Sequence, residues 1–231
     1  MIALAVSLRV VDELSVRLAG ATEAAIDEIV RLRGDAIKAA VDADRLRHPN
    51  ASPQDIARGL VYRRSRISAL GGAVSSLPGA FPGVGTATEI GAGIADTMAL
   101  VYSQVALILA VASAFDHDLS SAAHDARSAD VRVVMALDAG VAKFGKRGPE
   151  LADGELLDPN DRALSEHLSR GVGALVVQRT ARRRVRTLLG REIPFGVGVL
   201  IGGSANYTVM HHTGRTALRY YEFTAKGAQA A

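Results

Sequence analysis

Thr97-Met-Ala-Leu-Val-Tyr-Ser-Gln-Val-Ala-Leu-Ile-Leu-Ala-Val-Ala-Ser-Ala-Phe115 carries no charged side chain over nineteen residues, and its reading decides the fold. A run of this length is too long for a strand, which usually spans about 5–6 residues, and fits a helix buried on every side or one in lipid. At ~1.5 Å per residue it reaches about 28 Å, barely the ~30 Å of a bilayer's hydrocarbon layer. Asp116 and Asp118 follow at once. A buried central hairpin or partial insertion is therefore expected in preference to a full span.

Upstream, Leu77-Pro-Gly-Ala-Phe-Pro-Gly-Val-Gly85 holds two prolines and three glycines, which forbid a regular helix there. The long helix thus starts near Thr86. Before the loop, Leu4, Leu8, Val11, Leu14 and Leu18, then Ile26, Ile29, Val30, Ile37, Ala40 and Val41, recur at helical spacing. Ser52-Pro53-Gln54-Asp55 reads as a helix start, with serine at the N-cap, proline at the first helical position and an acid at the third. That helix carries Ile56, Leu60, Ile67 and Leu70 to Gly71-Gly72.

Downstream, the pattern predicts a helix near 121–144, a polar loop over 145–158 and a helix from Asp158-Pro159 to Leu189. A second glycine-rich apolar segment covers 193–210, and a last helix runs through Tyr221. The fold class is all-α, a multi-helix bundle with a central Gly-rich apolar helical pair. A single domain over 1–231 is expected: amphipathic helices over 1–66, the first apolar segment over 67–118, amphipathic helices over 119–190, the second apolar segment and last helix over 191–225, and a tail over 226–231.

Composition narrows the chemistry. The chain of 231 residues lacks cysteine and tryptophan and has a formal charge of only +3. No disulfide or thiolate chemistry is available. Sparse aromatics and a small net charge argue against nucleic acid. Arginine far outnumbers lysine and alanine is abundant, as in high-GC bacterial coding sequences. No positive n-region precedes the apolar N-terminus, so a cytoplasmic location is expected.

Ala87, Gly91, Ala95 and Ala99 form a smooth strip at four-residue spacing, and Gly198 and Gly202 offer another, so the two apolar helices should touch. On another face, Glu89, Asp96 and Gln104 lie seven and eight residues apart. A carboxylate in an apolar helix needs a partner, and Asn206, Tyr207, His211 and Arg215 are the candidates. They would orient a polar ligand group or lock helix register. Arginines precede both apolar segments: Arg63, Arg64 and Arg66 before the first, and Arg179, Arg182, Arg183, Arg184 and Arg186 before the second. Of these, Arg63, Arg64, Arg66, Arg182, Arg183 and Arg184 are candidates for anionic headgroups, with Phe81 and Phe195 reaching the apolar layer. The competing reading is a solvated helical face.

No metal is expected, because His117 and His124 stand seven apart without ligand spacing. Gly83-x-Gly85 follows no strand and no Walker lysine occurs, so no cofactor is expected either. No arrangement of nucleophile and base stands out, and no catalytic residue is assigned.

Leu77–Thr86, Ala95-Asp96, Gln104 and Phe115-Asp-His-Asp-Leu119, with Leu189-Gly-Arg-Glu-Ile-Pro-Phe-Gly-Val-Gly198, Gly203-Ser-Ala-Asn-Tyr207 and Thr213-Gly-Arg-Thr-Ala-Leu-Arg-Tyr-Tyr221, together resemble the EcsC family of bacterial proteins. The Asn-Tyr, Thr-Gly-Arg and Tyr-Tyr pattern is the most specific part. One departure is Asp116, where the family more often shows glycine. The resemblance implies a helical protein without accepted enzymatic activity, whose namesake accompanies an ABC transporter linked to secretion. The expectation is a non-enzymatic protein that binds membrane lipid or another hydrophobic ligand, or lies on the inner face of the cytoplasmic membrane. A transporter or secretion-associated protein, or a second copy of the chain, is a candidate partner. The alternatives are a soluble interaction or scaffold module whose apolar segments are only core, and a hydrolase using Asp96 with a histidine.

Overall fold

The computed structural model describes residues 26–75, 86–151, 154–157 and 197–230, with side chains described for 26–70, 99–120, 122–151, 154–157 and 204–226. Five helices carry this part of the chain. Helix α1 occupies 26–47, α2 Pro53–Ser75, α3 Thr86–Ala114, α4 His124–Asp138 and α5 Val197–Ala230. The fold is all-α, with α5 packed along α2 and against α3 and α4.

The charge-free run forms the centre of the bundle. From Val105 to Ala114 no residue is more than 4% exposed. Val105, Leu107, Ile108 and Val111 meet Ile29 and Val41 of α1, Leu60 of α2, Val134 of α4 and Tyr221 of α5 in one apolar cluster. A helix apolar all round belongs inside such a core. Among the described residues no helix is long and apolar enough to cross a membrane. Helices α3 and α5 pack against each other, while the side chains of Ala87, Gly91, Ala95, Gly198 and Gly202, through which the two apolar segments were expected to meet, lie outside the description.

Helix ends follow local rules. Ser52 caps α2: its hydroxyl oxygen accepts the Asp55 amide at 3.2 Å and its proton goes to the Asp55 carboxylate at 2.6 Å. At the end of α3, the His117 amide reaches the Ala112 carbonyl and the Asp116 amide reaches Ser113, the Schellman pattern. This motif requires a left-handed residue, and Asp116 adopts φ 62° where glycine is the usual occupant. Arg45 of α1 steadies the same end, donating to the Ser113 and Ala114 carbonyls at 3.0 and 2.9 Å and pairing with Asp116 at 2.7 Å.

The helix expected near 121–144 is shorter than predicted. After a 3₁₀ turn at Ser121–Ala123, α4 stops at Asp138, because Gly140 turns left-handed (φ 73°) and Val141 closes a second Schellman motif onto Ala136. Ala142–Phe144 (β1) then pairs antiparallel with Pro149–Leu151 (β2). Arg219 of α5 lies 4.4 Å over the Phe144 ring and ties this hairpin to the bundle.

Candidate functional site

Three groupings of polar or exposed apolar side chains stand out. The first is the outward side of α2. Tyr62, Ile67 and Leu70 are 54%, 59% and 69% exposed, and exposed Arg63 and Arg66 lie between Tyr62 and Ile67. Spacings of three, four and five residues put all five on one helical stripe. The Arg66 guanidinium lies 5.6 Å over the Tyr62 ring. The stripe borders a groove of about 710 Å³ between α2 and the end of α1, which Asp44, His48 and Ile56 also line.

Asp44 forms the floor of that groove and is only 6% exposed. Arg63 grips it with both terminal nitrogens, Nη1 donating to Oδ1 at 3.1 Å and Nη2 to Oδ2. Arg47 adds a third donor at 3.2 Å. The Arg63 hydrogen bond holds the Asp44 carboxyl below its usual range, against the opposing effect of burial. A buried carboxylate is tolerated only when paired in this way.

The second grouping is a seam across α3, α4 and α5. The Gln104 amide donates to Thr213 Oγ1 at 2.8 Å and to Asp138 Oδ2 at 3.2 Å, and the Thr213 hydroxyl lies 2.7 Å from the same Asp138 oxygen. His212 Nδ1 donates to Asp138 Oδ1 at 2.5 Å. Because a carboxylate only accepts, the His212 proton sits on Nδ1. The seam joins three helices through one largely buried carboxylate.

The third grouping lies under the Phe115–Leu119 turn. His117 Nδ1 accepts from Arg127 at 3.0 Å, Arg127 pairs with Asp130, and the Tyr220 hydroxyl donates to Asp130 at 2.7 Å. The His117 ring stands edge-on to Tyr221 with centroids 4.8 Å apart. Burial, and then the charge of Arg127, lowers the His117 pKa. Burial raises that of Tyr221, whose hydroxyl lies near Arg127 without a well-formed hydrogen bond.

Several residues singled out from the sequence take their places in these groupings. Gln104 lies in the seam, with Thr213 and Asp138 as its partners. Arg66 and Arg63 face outward, whereas Arg64 is half-buried near Arg33 and Tyr102, where burial lowers its pKa. Tyr207 stacks on His211 with ring centroids 5.6 Å apart. Asn206 is half-buried and Arg215 exposed on the same helix. Glu89 and Asp96 belong to α3, but their side chains lie outside the described residues, as do Phe81, Arg182, Arg183, Arg184 and Phe195 altogether. Among the described residues no group of three or more His, Asp or Glu side chains is placed to hold a metal ion.

Asp44, Asp138 and Thr213 carry these sites, and the sequence reading passed over them. Asp138 did leave a signal. An acid in the last turn of a helix opposes the helix dipole, so its presence there needs a tertiary reason. Thr213 opens the Thr-Gly-Arg motif and was legible only as part of that pattern. No family model matches the chain, and neither a curated protein nor a solved structure matches it.

Proposed function

We propose that this protein associates peripherally with anionic membranes through the outward stripe of α2. The observation that carries this reading is the exposure of Tyr62, Ile67 and Leu70 beside Arg63 and Arg66 on one helical face. Such a face suits the boundary between headgroups and acyl chains: apolar side chains enter, guanidiniums meet phosphates, and an aromatic ring sits at the level between. In sequence, α2 is followed by the uncharged apolar stretch Leu77–Gly85. The resemblance to the EcsC family belongs to the same proposal, and a secretion-linked transporter is its proposed neighbour in the membrane.

Burial of Val105–Ala114 moves the weight of the reading from insertion of the apolar hairpin to this surface stripe. The same burial favours the second reading, a soluble interaction module whose apolar segments are core. Co-sedimentation of detergent-free protein with anionic and zwitterionic vesicles, at low and high salt, separates them. Membrane association predicts salt-sensitive binding to anionic vesicles. Arg66→Glu should weaken it about fivefold or more, since one basic residue near such a surface contributes ~1 kcal/mol. The double variant Ile67→Asp with Leu70→Asp should abolish it. Absence of wild-type binding to either vesicle overturns the membrane reading and leaves the soluble module.

A further inference from the structure

We infer that Arg63 and Arg66 form a pre-set clamp for the phosphomonoester headgroup of a membrane phospholipid, with one acyl chain lying along Ile67 and Leu70. The inference rests on the membrane reading of the α2 stripe and adds to it a ligand class and a selectivity. Each guanidinium is fixed by a different neighbour. Asp44, buried at the groove floor, takes both terminal nitrogens of Arg63, which itself lines the groove. The Tyr62 ring supports Arg66 from beneath. Separation by three residues puts both on one side of α2, and both line the same groove.

Fixing matters because a free arginine loses rotamer entropy when it binds, and a planar fork held in place loses less. The acids beside the clamp are already compensated. Asp44 is shared between Arg63 and Arg47. Asp55 accepts the Ser52 hydroxyl and lies 3.5 Å from Arg58. An incoming anion therefore meets an excess of guanidinium charge. A phosphomonoester offers three peripheral oxygens to the Arg66 fork and to the N–H groups of Arg63 that Asp44 does not take. A serine headgroup would bring its ammonium against the same cations. The exposed apolar pair Ile67 and Leu70 continues the groove and distinguishes a lipid from free phosphate. A volume of about 710 Å³ falls in the range of small-molecule clefts.

The test compares phosphatidylcholine vesicles doped with phosphatidic acid against vesicles doped with phosphatidylserine to equal surface potential. Wild type is expected to prefer phosphatidic acid, and millimolar inorganic phosphate to leave that binding intact. Asp44→Asn decides between charge and geometry. It makes the protein more positive, so simple attraction predicts tighter binding. The clamp predicts binding to phosphatidic acid about tenfold weaker, the loss of one oriented charge-assisted hydrogen bond. Arg63→Lys keeps the charge but loses the fork and should show the same loss, which carries the test should Asp44→Asn fail to fold. Equal or tighter binding by these variants overturns the clamp while leaving membrane association standing, and displacement by inorganic phosphate overturns the lipid as its occupant. Failure of wild type to bind any anionic vesicle removes both.

Discussion

The imidazole of His117 accepts a proton-bearing nitrogen of Arg127, so charging it would set two cations face to face. Asp130 and Asp116 pull the other way, but Asp130 already serves Arg127 and Tyr220, and Asp116 serves Arg45. In the unfolded chain the ring titrates near 6.5. As pH falls through that value the unfolded state takes up a proton before the folded one, and stability declines until the lower folded pKa is passed. His124 has the opposite sign: its hydrogen bond to Asp125 raises its pKa, so its contribution is fully present below about 6.5 and is lost as pH rises through the folded value. The lowered carboxyls of Asp44 and Asp118 act only in more acidic solution, near and below their ordinary value. His117→Gln keeps an acceptor for Arg127 and removes the titration. Urea unfolding from about pH 7.5 down to about pH 5.5 should show wild type losing stability relative to His117→Gln, with a slope of at most ~1.4 kcal/mol per pH unit. Parallel profiles would mean that His117 does not carry this dependence.

Two glycines set how closely the elements approach. A Cβ on Gly34 of α1 would collide with the Leu119 backbone carbonyl, and one on Gly214 of α5 with both methyls of Val61 on α2. Alanine in a helix otherwise gains about 0.5–1 kcal/mol over glycine. Val61 meets Gly214 with side-chain methyls, whereas the Leu119 carbonyl belongs to the backbone of the turn that closes α3. Gly34→Ala is therefore expected to cost more than Gly214→Ala, about 2–3 kcal/mol against about 1 kcal/mol net, in the range of other overpacking changes. Chemical denaturation of the two variants checks the order, and the reverse order would place the tighter constraint at the α2–α5 contact. Gly214 lies in the Thr-Gly-Arg motif, so that motif now has a structural account: threonine bridges three helices and glycine admits α2. The long helix from Thr86 and the Ser52 cap were legible because each depends on neighbours along the chain. The hairpin after Asp138 was not, since three-residue strands leave no periodicity and β1 is held by Arg219, far along the sequence. Asp116 shows the same limit: its left-handed backbone, a conformation that favours glycine, is imposed by the turn that closes α3 and leaves no mark on helical spacing.

At the scale of the molecule, α3 takes the place a central strand has in a sheet protein, covered on its sides by the other helices. That burial was readable from the charge-free run, and so was Gln104 as a candidate for a polar seam within it. The partners were not readable. Asp138 and Thr213 come from elements 34 and 109 residues away, and helical spacing carries no information about which distant faces meet. The Asp44–Arg63 pair is hidden for the same reason, since each residue alone looks like part of a solvated surface. The arrangement has a consequence for local stability. Amides of Val105–Ala114 can meet water only if the surrounding helices separate, so their exchange should require global unfolding, with an opening free energy equal to the full stability of the fold. The hairpin has only three paired positions, Ala142 with Leu151, Lys143 with Glu150 and Phe144 with Pro149, and one face of it is half-exposed. Its amides should exchange through local opening, several kcal/mol below the global value, without disturbing α3. Hydrogen exchange resolved by peptide would reveal both limits in one experiment. If α3 exchanged at the level of the hairpin, the bundle would be opening along its centre, and the route from surface attachment at α2 to insertion of the apolar helix would be open again.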